Sequence, residues 1–255
     1  MEPGFTLDFG HRRTARVIQP QTEADLSDAF TFLELPKARP VLVVIGGASR
    51  LSRSDQRLVR SLFIKVLVPL ARALNAIVID GGTDVGIMQM MGRARYTRRA
   101  RFPLLGIAPI GCVALPEQPL LNDDMAPLEP HHTHFLLVPG YAWGDESSWI
   151  ARVASMLAEE KPSVTILING GEISWLDAEK NVEEGRPLIA IAGSGRTADA
   201  LATALEGNGV DERAQHIIDS GLLQAIELES SDRLAEVIQQ ILSSPIPSKP
   251  LEPSQ

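Results

Sequence analysis

Residues 76–88 read AIVIDGGTDVGIM, and this stretch carries the pattern that decides the fold. A short run of Ala, Ile and Val ends on two glycines, and a hydroxyl residue and a predicted helix follow. A buried strand that stops on glycine and enters a helix presents backbone N–H groups at the positive end of that helix. This arrangement is suited to hold a phosphate or another small anion.

The same pattern occurs in two further stretches, VLVVIGGAS at 41–49 and LIAIAGSGR at 188–196. Two more predicted strands, 134–138 and 163–168, also end on glycine. The carboxyl ends of parallel strands meet at one edge of a sheet, where open α/β sheets bind their ligands. We therefore expect these turns to converge on one crevice.

Strands and helices alternate along most of the chain, and the strands are continuous apolar runs. This pattern predicts an α/β, Rossmann-like fold with a mostly parallel sheet of about seven strands and helices on both faces. We expect an N-terminal lead at 1–14, a single domain at 15–242 and a disordered tail at 243–255. The proline-rich segment 109–130 is predicted to be a loop that borders or closes over the site.

The composition excludes several classes of protein. The chain has 255 residues and a net charge of -8, which argues against nucleic acid as a partner because no overall basic surface is available to neutralise phosphates. The single cysteine, Cys112, rules out an intramolecular disulfide and is typical of a core residue in a reducing compartment. No signal peptide or membrane span is evident, so we expect a cytoplasmic protein without a membrane partner.

Two common nucleotide motifs are missing. The turn after residue 45 lacks the G-x-G-x-x-G spacing of dinucleotide-binding folds, and the chain has no P-loop lysine motif. The usual NTPase and dehydrogenase interpretations are therefore disfavoured, and we expect neither a cofactor nor a metal.

The glycine turns supply the candidate ligand-binding residues. They are Gly46, Gly47, Ala48, Ser49, Gly81, Gly82, Thr83, Asp84, Gly140, Gly170, Gly171, Gly193, Ser194, Gly195 and Arg196. The Arg196 guanidinium can form paired hydrogen bonds to a phosphate. Each position also has a structural alternative: Thr83 or Asp84 as a helix cap, and Arg196 paired with Asp199.

Two further groups have simple structural interpretations. His131, His132 and His134 lack the companion ligands of a zinc site, so a hydrogen bond to a carbonyl or a ligand is favoured over a metal. The arginines between Arg93 and Arg101 suit a helix C-terminus on a solvated face.

Four motifs in order, VVIGGA, IDGGTDVGIM, HTHFLLV and GSGRTAD, resemble the LSDAT branch of the SLOG superfamily. This module stands at the N-terminus of melastatin-type transient receptor potential channels and also occurs as stand-alone prokaryotic proteins. The resemblance covers about residues 15 to 242. It implies a Rossmann-like fold and binding of nucleotide-derived ligands, with ADP-ribose known for some channel members. Channel function is not implied, since no membrane span is evident.

The Lonely Guy phosphoribohydrolases of the same superfamily carry a Pro-Gly-Gly-x-Gly-Thr-x-x-Glu loop. The matching stretch here runs from Pro139 to Glu146 as PGYAWGDE, which keeps Pro-Gly and the glutamate but lacks the second glycine and the threonine. Glu146 is thus the one candidate catalytic residue. Its alternative role is a favourable charge at a helix N-terminus.

Three hypotheses on function follow. The first is a module that binds or senses a nucleotide-derived, ADP-ribose-like ligand without catalysis. The second is a nucleotide N-glycoside hydrolase that uses Glu146. The third is a structural assembly domain, as in a homo-oligomer, with a vestigial pocket.

Overall fold

The computed structural model describes residues 3–49, 51–208 and 211–244, and its centre is a large β-sheet. The strands in chain order are β1 (Phe5–Asp8), β2 (Thr14–Ile18), β3 (Val41–Gly46), β4 (Ile77–Asp80), β5 (Leu104–Pro109), β6 (Val113–Ala114), β7 (Ala126–Pro127), β8 (His134–Val138), β9 (Ser163–Ile168), β10 (Leu188–Ala192) and β11 (Leu223–Glu227). Nine of them form the sheet in the order β1-β2-β8-β5-β4-β3-β9-β10-β11, whereas β6 and β7 pair separately.

The predicted α/β class is confirmed. Every neighbouring pair in the sheet is parallel except β1 and β2. The strand count is nine, not about seven. Strand β1 was not predicted, because it is a short edge strand in a polar stretch and its hairpin with β2 leaves little sequence signal.

The chain reverses its direction across the sheet between β3 and β9. From β3 it moves outward through β4, β5 and β8, and it then returns to the other side of β3 to add β9, β10 and β11. The carboxyl ends of β3 and β9 therefore flank the point where ligands bind in open α/β sheets.

Helices cover both faces of the sheet. They are α1 (Leu26–Leu33), α2 (Arg53–Leu62), α3 (Val68–Ala73), α4 (Gly86–Thr97), α5 (Ser147–Ala158), α6 (Glu172–Glu183), α7 (Arg196–Leu205), α8 (Glu212–Asp219) and α9 (Ser231–Ser243). A π-helical turn, Phe63–Leu67, joins α2 to α3. Pro69 lacks the N–H that an α-helix would direct to the carbonyl of Lys65, which accounts for the irregular turn at that point.

The core is divided by the sheet into two apolar layers. Val41, Val43 and Ile45 pack on one face against α1 and α5–α8. Leu42 and Val44 pack on the other face against α2–α4 and α9. Side chains alternate along a strand, and every one of these five is buried, which is why the strand sequence is continuously apolar.

Three regions differ from, or add to, the sequence-based layout. Helix α8 was not predicted. The segment 109–130 is anchored by the pairing of β6 with β7 and by a bridge between Thr83 and Leu128, so it is less irregular than its prolines suggested. Residues 245–255 of the predicted tail lie outside the described residues. No helix in the described ranges is both long and apolar enough to span a bilayer.

A substitution at Gly46 can test the close approach of β3 and β9. Its φ is +122°, and a Cβ atom there would lie 2.0 Å from the carbonyl oxygen of Ile168. We expect Gly46→Ala to lower the free energy of unfolding by roughly 2–5 kcal/mol, through backbone strain and a clash that would separate the strands. Chemical denaturation measures the change. Gly185→Ala is the control, because Gly185 has φ +72° but open space around it. This variant should lose only about 1 kcal/mol of unfolding free energy, which is the cost of the backbone conformation alone.

Candidate functional site

A crevice of about 460 Å³ opens at the carboxyl edge of the sheet, beside the reversal between β3 and β9. It is lined by Ile45, Gly46, Gly47, Gly81, Thr83, Val85, Met88, Asp123, Asp124, Met125, Ala126, Trp143, Glu146, Ile150, Gly171, Glu172, Ile173, Ser174, Asp177 and Arg196. The predicted turns thus reach the same opening, and the 109–130 loop borders it through residues 123–126.

Only some of the predicted residues line this crevice. Those that do are Gly46, Gly47, Gly81, Thr83, Glu146, Gly171 and Arg196. Those that lie outside the lining are Ala48, Ser49, Gly82, Asp84, Gly140, Gly170, Gly193, Ser194 and Gly195. Their contact with a ligand stays a prediction, and the hydrogen bonds around them assign several of them a structural role.

The turn at 193–195 holds a carboxylate of the protein itself. One oxygen of Asp199 accepts hydrogen bonds from the amides of Gly193 at 2.8 Å and Gly195 at 3.0 Å. The amide of Ser194 donates to the carbonyl of Ile191. The Asp199 carboxylate therefore binds the turn's backbone, while Arg196 donates to the hydroxyl of Ser49 at 2.7 Å.

The loop after β8 is closed in the same manner. The amides of Tyr141 and Ala142 donate to one oxygen of Asp145, at 2.9 and 3.1 Å. The Asp145 side chain lies where a Cβ on Gly140 would stand, so Gly140 makes room for it. Both amides are therefore bonded to an aspartate of the protein itself.

Gly82 is required by packing. Its φ is +69°, and a Cβ atom there would lie 2.8 Å from the Cα of Gly106 on β5. Its amide donates to the carboxylate of Asp80 at 2.7 Å. The amide of Asp84, two residues later, donates to the carbonyl of Pro127. This turn is therefore tied to β5 and to the 109–130 loop.

Arg196 lies beside the N-terminus of α6. Its guanidinium nitrogens are about 3 Å from the position that a Cβ on Gly171 would occupy, and Gly171 is the N-cap of α6. Among the described residues, no carboxylate forms an ion pair with Arg196. A guanidinium and a helix N-terminus side by side form a positive corner of the crevice.

Two buried carboxyl groups also line the crevice. Glu146 precedes α5, is 6% exposed, and accepts a hydrogen bond from the amide of Gly144 at 2.7 Å. Burial raises its pKa. Asp177 of α6 accepts a hydrogen bond from the Ser147 hydroxyl at 2.6 Å, and burial, together with the charge of Glu146, raises its pKa to about 7.

Asp177 is the site residue that sequence reasoning missed. Ser174, Asp177 and Asn181 recur at helical spacing on the buried face of α6, between Trp175, Ala178 and Val182. Polar residues on an otherwise apolar buried face were the available signal. Trp143, Met88 and Met125 also line the crevice and supply the flat or flexible apolar surface that suits a planar ring.

The histidine group forms a buried ionic cluster. The ring of His132 lies between Asp80 at 2.8 Å and Glu129 at 2.9 Å. Burial lowers the pKa of His132, but the two carboxylates outweigh it and raise that pKa to about 9. His134 bonds instead to Thr133, and burial lowers its pKa to about 4. The cluster fixes the end of the 109–130 loop to β4.

The other chemistry-bearing groups lie away from the crevice. Glu179, Glu183 and His216 bring three metal-ligating atoms within 4.8 Å on the surface of α6 and α8, where Lys180 already pairs with Glu183. Arg98, Arg99 and Arg101 line two other grooves together with Arg72 and Arg39. Cys112 is buried, as predicted.

The chain belongs to a known family of proteins. Residues 39–236 match the family model LSDAT_prok, described as SLOG in TRPM, prokaryote. The match agrees with the resemblance inferred from the motifs and with the α/β fold. The SLOG family implies a module that binds a nucleotide-related ligand or acts in the manner of a glycosidase.

Curated relatives share the module within much longer proteins. A transient receptor potential cation channel subfamily M member-like 2 of Nematostella vectensis is 22% identical over 92% of this chain and 18% of its own length. Subfamily M member 2 of Mus musculus is 22% identical, and that of Rattus norvegicus 23% identical, each over 64% of this chain and 13% of its own length. The chain thus spans less than a fifth of these relatives.

Asp177 should make folding stability depend on pH. Its folded pKa of about 7 lies above the ordinary aspartate value of 3.8, so the cost of its buried charge grows as the pH rises from about 4 to about 7. We expect Asp177→Asn to gain roughly 2–4 kcal/mol of unfolding free energy relative to the unmodified protein over that interval. Denaturation at pH 4 to 8 measures it. A difference between Asp177→Asn and the unmodified protein that stays flat over this interval contradicts the raised pKa.

Proposed function

We propose that this protein is a binding module for a nucleotide-derived ligand that occupies the crevice beside the β3–β9 reversal. The observation that carries the proposal is the position of Arg196 beside the N-terminus of α6, within a crevice that also has an apolar wall. A phosphate would interact with the guanidinium and with the positive helix end.

The remaining lining suits the rest of such a ligand. Trp143, Met88 and Met125 offer a surface for a planar base. Glu146 and Asp177 offer oxygen atoms to the hydroxyl groups of a ribose, at the side of the crevice formed by α5 and α6. The family supports the same class of ligand. ADP-ribose is the reference member of this class, since the motifs resemble modules that bind it.

Arg196 tests the proposal directly. We expect Arg196→Ala to weaken binding of AMP and ADP-ribose about 10- to 100-fold, because a charged hydrogen bond to phosphate contributes roughly 1.5–3 kcal/mol. Titration calorimetry measures the affinities. Arg233→Ala removes another exposed arginine, from α9, and should leave them unchanged. Equal affinity in the unmodified protein and Arg196→Ala would exclude this phosphate position.

A second candidate function is cleavage of a nucleotide N-glycosidic bond. The observation that favours it is the pair of buried acids, because a carboxyl group with a raised pKa can protonate a leaving base while a second acid assists. Glu146 is the proposed acid, and Asp177 lies on the same wall.

Base release separates the two functions. Incubation with AMP, NAD and ADP-ribose, followed by chromatography, detects free base, and a hydrolase requires that Glu146→Gln abolish it. A rise in melting temperature without free base supports the binding module. If neither free base nor a rise in melting temperature is observed, the hypothesis of an assembly role is left. The oligomeric state in solution would then test that hypothesis. A homo-oligomer and a cytoplasmic location remain predictions.

A further inference from the structure

Most backbone donors of the glycine turns are already bonded within the protein. The acceptors are the carbonyl of Ile168 for Gly47, Asp80 for Gly82, the carbonyl of Pro127 for Asp84, Asp145 for Tyr141 and Ala142, the hydroxyl of Ser174 for Gly171, Asp199 for Gly193 and Gly195, and the carbonyl of Ile191 for Ser194. Nine amides that a diphosphate could have used are therefore occupied.

Three of these acceptors are carboxylates: Asp80, which also bonds to His132, and the two that fill glycine turns, Asp145 and Asp199. Asp145 fills the loop after β8, and Asp199 fills the turn after β10. Each carboxylate takes the place that a phosphate oxygen would take in an open turn, and each adds a negative charge there. Both turns lie outside the lining of the crevice, so a second phosphate that extended from the crevice into either turn would have to displace the aspartate or bind next to it, against its charge.

The lining of the crevice also disfavours a second negative charge on the ligand. Its acids are Asp123, Asp124, Glu146, Glu172 and Asp177, and within the described residues its one cation is Arg196. Glu172 is paired with Arg213 at 2.7 Å, which leaves four acids against one arginine. Glu146 and Asp177 lie in a desolvated wall that disfavours negative charge on any group placed there.

We infer that the ligand of this crevice carries a single anionic group, held by Arg196 and the N-terminus of α6, and that the rest of the ligand is neutral. The inference rests on the proposed function and narrows it to the chemistry of a nucleoside monophosphate. A nucleoside with two linked phosphates fits this charge pattern poorly.

A ligand series on the full chain tests the charge requirement. Adenosine, AMP and ADP share the base and ribose and differ in phosphate, and ADP-ribose carries a second ribose on the diphosphate of ADP. We expect AMP to bind about 10- to 100-fold more tightly than adenosine, through the charged contact with Arg196, and at least tenfold more tightly than ADP or ADP-ribose. Calorimetry at constant ionic strength gives the four affinities.

The substitution Asp199→Asn tests the cause of this selectivity. The asparagine oxygen can still accept from the amides of Gly193 and Gly195, so the turn keeps its hydrogen bonds and loses only its negative charge. We expect the preference for AMP over ADP-ribose to fall about tenfold. Asp232→Asn makes the same charge change in the first turn of α9 and should leave the preference unaltered.

The outcomes separate the inference from the function on which it rests. Tighter binding of ADP-ribose than of AMP overturns the single-anion inference and leaves the binding module intact. Binding of none of the four compounds overturns both. If Asp199→Asn leaves the preference for AMP unchanged, the role assigned to the turn after β10 is overturned. If the preference falls in Asp199→Asn and not in Asp232→Asn, the full inference is supported.

Discussion

The close approach of β3 and β9 is the constraint on which the rest of the structure depends. The chain can return across the sheet only if these two strands pair along their whole length, from Val41 opposite Ser163 to Gly46 opposite Ile168. At the last pair no side chain fits, because the backbone of β9 occupies the place of a Cβ on Gly46. This pairing sets the ends of two parallel strands side by side and thereby opens the crevice between the helices that follow them.

The glycines of the turns at this edge of the sheet have more than one physical cause. Gly46 and Gly82 permit neighbouring strands to approach, and Gly140 makes room for Asp145. Gly193 and Gly195 adopt positive φ angles around the carboxylate of Asp199. A turn rich in glycine is thus compatible with an empty phosphate cradle and with one that the protein has filled itself. Hydrogen bonds, and not glycine content, distinguish the two.

The polar groups of the site divide into two separate networks. Asp80, His132 and Glu129 form a closed ionic cluster that holds the 109–130 loop to β4. Glu146 and Asp177 lie in the crevice itself, where burial raises the pKa of both. The first network stabilises the scaffold. The second supplies two acids with raised pKa values at a place where they could contact a ligand, and the pKa of Asp177, about 7, lies near neutral pH.

The sequence by itself determined the fold class and the edge of the sheet where the crevice lies. Apolar runs such as 41–45 and 188–192 are buried on both faces, and only parallel strands covered by helices produce that pattern. Local signals also placed Glu146 at a helix start and Arg196 at a turn. Both assignments depend on residues that are close together in the chain, and a sequence shows these directly.

Only the tertiary structure decided which of these residues share the crevice and what each turn binds. Asp177 reaches Ser147, the residue after Glu146, because α5 and α6 pack on the same face of the sheet; this hydrogen bond joins residues 30 positions apart. The order of the strands, the edge strand β1 and the occupation of the turns by Asp145 and Asp199 depend on such packing as well. The physical reason is that charge, burial and hydrogen-bond geometry at a site are properties of residues brought together by folding, whereas sequence patterns report on neighbours along the chain.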